Sequence, residues 1–286
     1  MQDTVAYIDG IGYCTDLAAL PKQRELMPIY TVRDLWNAVA SGRLMGSIAV
    51  SAAAAILMRS SAESDRDSSK QSHIYDLKMK AKALYAMQSE DRLLQSVAKG
   101  FIDICDDGRH TANTVDKTIA DECSRVTREL IDASCNIGSF GFDCIKDKKS
   151  VLTIGDAGAL TAVKYGTALA PVYIANEQGA RLKVYCARGY AEHGRCFLTD
   201  YELTESDISH TVVADSDIAR VMSEGKIEAV LAPISSDGGI LQAAICAKHY
   251  KIPFYICAPH IIAESGYGID RRLITAVITE HGIFGS

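Results

Sequence analysis

The sequence predicts an α/β protein in which a mostly helical N-terminal part precedes a doubly wound parallel sheet. Three observations carry this. Residues 150–190 read as strand, glycine-bearing turn, helix and strand, which is one βαβ unit. Beyond them, short apolar strands at 210–213, 229–232 and 254–257 alternate with helices at 218–224 and 239–250. Before them, apolar residues recur at helical rather than strand spacing from 32 to 144. The division is expected at 145, giving domains 1–145 and 146–286.

Taken in order, 7–20 carries the alternation and glycine turns of a small hairpin, and Thr31 is placed to cap a helix over 32–40. The loop 41–47 opens an apolar helix over 48–59. Residues 60–72, SSAESDRDSSKQS, are polar and without apolar periodicity, so a mobile loop, serving as a lid or simply a linker, is expected there. Helical patterning returns over 74–87, 90–106 and 114–144. The strand 151–153 then leads into the turn Ile154-Gly155-Asp156-Ala157-Gly158, a helix is expected over 159–178, and the next strand is 182–186.

Composition narrows the function. A net charge of −6 and a pI near 5.7 argue against the clustered basic face that nucleic acid requires. No apolar run reaches the ~18 residues of a membrane span. The 9 cysteines have no CxxC spacing and fit a reducing cytoplasm. In a parallel sheet, ligands bind beyond the carboxyl ends of the strands, where loops and helix N-termini offer free N–H groups. The loop 155–158 and the loop after Cys186 are therefore expected to face one ligand. Arg43, in a glycine-flanked loop before a helix, suits an anion such as phosphate, or else lies solvated on the surface.

Several segments, in order along the chain, carry a family resemblance: GRLMGSIAVSAAAAIL (42–57), VLTIGDAGALTAVKYGTAL (151–169), EQGARLKVY (177–185), LTDYEL (198–203), KIEAVLAPISSDGG (226–239), CAKHYKIPFYICAP (246–259) and RRLITAVITEHGI (271–283). The chain resembles the methylthioribose-1-phosphate isomerase family. That superfamily also holds ribose-1,5-bisphosphate isomerase and the regulatory subunits of the exchange factor for translation initiation factor two. The resemblance implies a helical N-terminal domain, a Rossmann-like C-terminal domain and a homodimer acting on a small phosphorylated sugar, with no cofactor. It also implies an aldose 1-phosphate to ketose 1-phosphate conversion by a cysteine and an aspartate.

Both of those residues are replaced here. Gly155 stands where the cysteine of the family's Thr-His-Cys-Asn-Ala-Gly turn should be, and Ser235 or a neighbour stands for the aspartate of its Gly-Ala-Asp pattern. The Asn-Lys pair that follows is missing. Cys135-Asn136-Ile137-Gly138 imitates the cysteine motif but lies upstream, inside the helix 114–144. New acids lie close to the lost ones: Asp156 beside Gly155, and Asp237 within two residues of Ser235. Asp156, Asp237 and Ser235 are thus the candidate catalytic residues, Asp156 being alternatively a helix N-cap. Arg43 matches the family's phosphate-binding arginine. Gly155, Ala157, Gly158, Arg188, Arg195 and Asp215 complete the candidate substrate contacts. Asp156, Asp215 and Asp237 could together hold a divalent ion, but no spacing is metal-specific, and no metal is expected. His193 is a further acid–base candidate or a plain surface residue. The reading is a divergent sugar-phosphate isomerase. The alternative is a non-catalytic sensor resembling the translation-factor subunits, whose Ser-Gly-Gly-Ile run Ser236-Asp237-Gly238-Gly239-Ile240 somewhat resembles.

Overall fold

The computed structural model describes residues 3–64, 70–188, 197–234, 238–264, 266 and 268–285. The chain divides into two compact units, one of residues 2–131 with 161–163, the other of 132–160 with 164–286.

The first unit opens with three antiparallel strands, β1 (Val5–Ile8), β2 (Ile11–Thr15) and β3 (Leu26–Ile29), in that order. Asp9 and Gly10 join β1 to β2 with φ of 49° and 86°. Two central residues of positive φ match the right-handed twist of a two-residue hairpin, and Asp-Gly is the dipeptide that tolerates them. Helix α1 (Val32–Ala40) starts at Thr31 as expected, through a capping box in which Thr31 and Asp34 satisfy each other's backbone N–H. Helix α2 (Ser47–Ser64) is buried along most of its length, which explains why it is apolar on every side. It packs against α1, α3 (Lys70–Met87), α4 (Arg92–Asp106) and the strands β1 and β2. Asp91 caps α4 and also accepts from the Ser47 hydroxyl at 2.6 Å.

The serine-rich segment differs from the expected loop. Residues 60–64 continue α2 and residues 70–72 begin α3, while 65–69 lie outside the described residues. The hydroxyl of Ser60 donates to the Ile56 carbonyl at 3.1 Å and that of Ser64 to Ser61 at 3.3 Å. Serines that bond back into the preceding turn are accommodated by a helix despite their poor propensity for it.

Helix α5 (Ala112–Ile145) runs from one unit into the other. The second unit is a seven-stranded sheet of β4 (Ser150–Ile154), β5 (Lys183–Ala187), β6 (His210–Val213), β7 (Val230–Ala232), β8 (Phe254–Cys257), β9 (Ala276–Thr279) and β10 (Gly282–Gly285). Their order in space is β10-β9-β8-β7-β4-β5-β6. All neighbours are parallel except β10, which pairs antiparallel with β9 at the edge. The alternation of side chains divides two cores between the sheet's faces. Val151, Val184, Cys186 and Leu231 pack with Ile137 and Ile145 of α5, Val172 and Tyr173 of α6 (Ala170–Glu177), and Leu203 of α7 (Leu198–Glu205). Leu152, Ile154, Val230 and Ile256 pack with Val221 of α8 (Ile218–Ser223) and Ala243 of α9 (Gly238–Tyr250). A short α10 (His260–Ala263) follows β8.

Two glycines let α5 approach α6. A β-carbon at Gly138 would lie 2.8 Å from the Ile174 side chain, and one at Gly141 would lie 2.3 Å from the Pro171 ring. The segment 135–138 is thus helix, with Cys135 half-buried.

The helix expected over 159–178 is not continuous. Residues Ala159–Thr161 make one 3₁₀ turn, and α6 begins only at Ala170. Tyr165 and Gly166 break the run with φ of 64° and 80°, and the chain folds back so that the N–H groups of Thr167 and Leu169 both reach the Ala157 carbonyl. A β-carbon at Gly166 would lie 2.4 Å from that carbonyl oxygen, so only glycine fits there.

Candidate functional site

From β4 the chain runs outward through β5 to β6, then returns to add β7 on the other side of β4. The carboxyl ends of β4 and β7 therefore flank the point where strand order reverses, the place where open α/β sheets bind ligands. Thr153 and Leu231 are cross-strand partners, so the two exit loops leave side by side.

Gly155 ends β4 with φ of 71° and donates its N–H to the Ala187 carbonyl at 2.9 Å. This turns Asp156 away from the strand. Its half-buried carboxylate accepts from the Thr199 N–H at 3.1 Å, while the Thr199 hydroxyl donates to the Gly155 carbonyl at 2.7 Å. Asp156 is thus a cap, but of α7 and not of the segment that follows it. Burial lifts its carboxyl to about 6, opposed by backbone bonds from Thr199 and Leu198 and by the charge of Arg188. Arg188 itself is exposed just past β5, its guanidinium 5.8 Å from the centre of the Phe197 ring.

The amides beyond Gly158 are occupied from within the protein. Glu202, buried on α7, accepts from the Ala159 N–H at 2.6 Å and the Leu160 N–H at 3.2 Å, and from the Tyr173 hydroxyl at 2.8 Å. The 3₁₀ turn therefore presents its N-terminal amides to this internal carboxylate, where sequence reasoning expected them free for an external anion. Gly158 is glycine because a β-carbon would lie 2.3 Å from a Glu202 oxygen. Burial raises the Glu202 carboxyl to about 7, opposed by its three hydrogen bonds and reinforced by the negative charge of Asp156. Tyr173 is pushed well above its ordinary value by burial and by Glu202.

The other expected residues are placed as follows. Ala157 is buried, its carbonyl taken by Thr167 and Leu169. Asp215 is half-buried beyond β6, at the same end of the sheet as Asp156, and its carbonyl accepts from the Gln242 side chain at 3.1 Å. Asp237, Ser235, Arg195 and His193 lie outside the described residues. Arg43 belongs to the first unit. Its Nε and Nη2 donate to one oxygen of the buried Asp16 at 3.0 and 2.6 Å, and it lines a cleft of about 710 Å³ formed by β3 and α1.

Burial works against thiol activation at the buried cysteines. Burial pushes the thiols up to about 11 at Cys105 and Cys123 and about 12 at Cys14 and Cys186. Cys186 points into the core and donates to the Thr211 carbonyl at 3.6 Å.

Sequence reasoning missed Glu202, Thr199 and Tyr173. The segment 198–203 was recognisable, but a buried glutamate leaves no periodic signature. Its one sequence signal is a glycine, Gly158, with no conformational need for one.

The fold is thus a switch-point α/β sheet with the half-buried Asp156 and the buried Glu202 at the carboxyl end of its central strand. The chain belongs to the Initiation factor 2 subunit family, whose profile matches residues 43–264. It is 35% identical over 160 residues to the methylthioribose-1-phosphate isomerase of Bacillus cereus, a match covering 52% of this chain but only 45% of that relative's length. It is 30% identical over 254 residues to the 5-deoxyribose 1-phosphate isomerase of Bacillus thuringiensis, covering 85% of this chain and 73% of the relative. Two solved structures share the fold across 100% of the chain. They are 5-methylthioribose 1-phosphate isomerase from Pyrococcus horikoshii (TM-score 0.88, 17% identity, 93% of that chain) and translation initiation factor eIF-2B, subunit delta, from A. fulgidus (TM-score 0.82, 22% identity, 96% of that chain). Among the described residues, no helix is long and apolar enough to cross a membrane.

Proposed function

We propose that the protein is a divergent sugar-phosphate isomerase that moves the proton through Asp156. The observation carrying this reading is a half-buried carboxyl, poised at about 6, at the carboxyl end of the central strand beside the switch point. At neutral pH such a group is ionised yet close enough to its pKa to accept and return a proton. In an aldose 1-phosphate the ring C1–O bond must break and its oxygen take a proton while the C2 proton leaves. The resulting C1=C2 enol then loses its hydroxyl proton and gains one at C1, giving the ketose 1-phosphate. Asp156 is assigned the carbon-bound proton. Asp237, which follows β7 in sequence, is assigned the second transfer, with Ser235 a further candidate. Arg188 and Arg195, together with Asp215, are the candidate substrate contacts of this unit, and Arg43 is a candidate anion group of its own unit.

A homodimer in the cytoplasm is the assembly and place we infer. Light scattering of the purified protein tests the first, a monomer mass counting against it.

A second reading is favoured by one feature. Asp156 caps α7 and Glu202 takes the Ala159 and Leu160 amides, so both carboxylates hold the fold of the described turn. That suits a non-catalytic sensor of a sugar phosphate or nucleotide. Proton NMR of 5-deoxyribose 1-phosphate and methylthioribose 1-phosphate with the protein in D₂O separates the two. The enzyme replaces the C2 proton or forms a ketose. A sensor shows ligand-dependent thermal stabilisation, about 2.7 kcal/mol at a hundred times Kd, with an unchanged ligand spectrum.

A further inference from the structure

The turn carrying Asp156 and the helix α7 hold each other by their ends. Asp156, on the turn, accepts from the N-terminal Thr199 N–H of α7, and Glu202, on α7, accepts from the N-terminal Ala159 and Leu160 N–H groups of the turn. Thr199 and Glu202 are three residues apart and so lie on one face of α7. Thr199 is fully buried and adds a hydroxyl bond to Gly155. Tyr173 of α6 fixes the Glu202 carboxylate from a third direction. Gly158 leaves no side chain between them. The Thr199 bond to the Gly155 carbonyl and the Glu202 bonds to the Ala159 and Leu160 amides hold the turn on both sides of Asp156, whose carboxylate is itself tied to the Thr199 N–H.

We propose that Glu202 is the positioning residue for Asp156, holding the 155–160 turn in register with α7 so that the Asp156 carboxylate stays at the β4 end of the switch point. The proposal deepens the proton-transfer reading of Asp156, but its test does not need turnover.

The test is amide hydrogen exchange on the full chain carrying Glu202→Gln, reading Thr199 against Leu152, whose N–H bonds within the sheet to Ala229. Thr199 does not touch Glu202 through its amide, so a local staple would leave its exchange alone. The expected result is that Thr199 exchanges about tenfold faster relative to Leu152. Unchanged relative exchange at Thr199, even with faster exchange at Ala159 and Leu160, overturns the proposal. Should Glu202→Gln fail to fold, Tyr173→Phe removes a single donor, and the same ratio must rise about threefold, no rise overturning the proposal. Where wild-type protein turns over 5-deoxyribose 1-phosphate, the variant is expected to lose about tenfold in kcat with KM little changed. A fall confined to KM contradicts the positioning role. A protein inactive on every sugar phosphate defeats the enzyme reading and leaves the exchange ratio to decide this one.

Discussion

Gly158→Ala probes the contact between the turn and α7 with one methyl group. The added β-carbon would lie 2.3 and 2.5 Å from the two Glu202 oxygens and 2.6 Å from the carbon between them, where ordinary contact begins near 3.4 Å. The carboxylate is the far end of a side chain, but it cannot swing freely. It is buried, and three donors converge on it from Ala159, Leu160 and Tyr173. Moving it by about an ångström breaks the short bond to Ala159 and stretches the others. Hydrogen bonds to a charged group contribute about 1.5–3 kcal/mol each, so the displacement costs about 3 kcal/mol. Replacing glycine by alanine recovers about 0.4–1 kcal/mol from the unfolded chain. The net loss of about 2–3 kcal/mol lowers Tm by roughly 4–12 °C for a domain of this size. Calorimetric melting reads it directly. The same substitution in a Glu202→Ala background should cost less than about 0.5 kcal/mol, because the clash has gone. An unchanged or raised Tm, or equal costs in both backgrounds, refutes the contact.

Two further outcomes follow from the same unit. Burial raises Glu202 to about 7 and Asp156 to about 6, above their ordinary values of 4.5 and 3.8. A carboxyl whose pKa is higher in the folded state contributes stability that is present below the unfolded value and lost as pH climbs through the folded one. Melting followed from pH 4.5 to 7.5 should therefore show stability falling, with Glu202 contributing on the order of 3 kcal/mol, and the fall should be shallower in Glu202→Gln; parallel curves for the two proteins would contradict it. At the helix contact, Gly141→Leu forces a side chain into the Pro171 ring, 2.3 Å from the β-carbon position, and should cost about 2–3 kcal/mol in denaturant unfolding, a neutral effect showing that α5 and α6 are not in contact there.

Local signals made much of the fold readable. Thr31 with Asp34 three residues on marked the start of α1, and the apolar runs of β4 and β7 marked strands buried on both faces. The stretch 159–178 was misleading because its alanines and leucines favour a helix wherever tertiary contacts are silent. Only the packing of Gly166 against the Ala157 carbonyl, a contact across the turn, shows why the chain bends there. The serines of 60–64 and 70–72 misled in the other direction, their low propensity yielding to a helix already established on either side. At the site, the exchange of the family's cysteine and aspartate was visible because a motif was present to be departed from. The role of Asp156 as the cap of a helix 43 residues away was not, because a long-range hydrogen bond leaves no spacing in the chain. Glu202 escaped for the same reason.

The account rests on Asp156 as the group that moves the proton, and the most direct measurement compares wild type with Asp156→Asn on 5-deoxyribose 1-phosphate in D₂O by proton NMR. Asparagine keeps the side-chain oxygen that accepts from Thr199, so the cap and the fold are retained while the titrating oxygen is lost. Deuterium entering at C2 in the wild type, slowed at least about a hundredfold in the variant at equal ligand stabilisation, is the result predicted. Equal exchange in both proteins would contradict the assignment and move the chemistry to another residue.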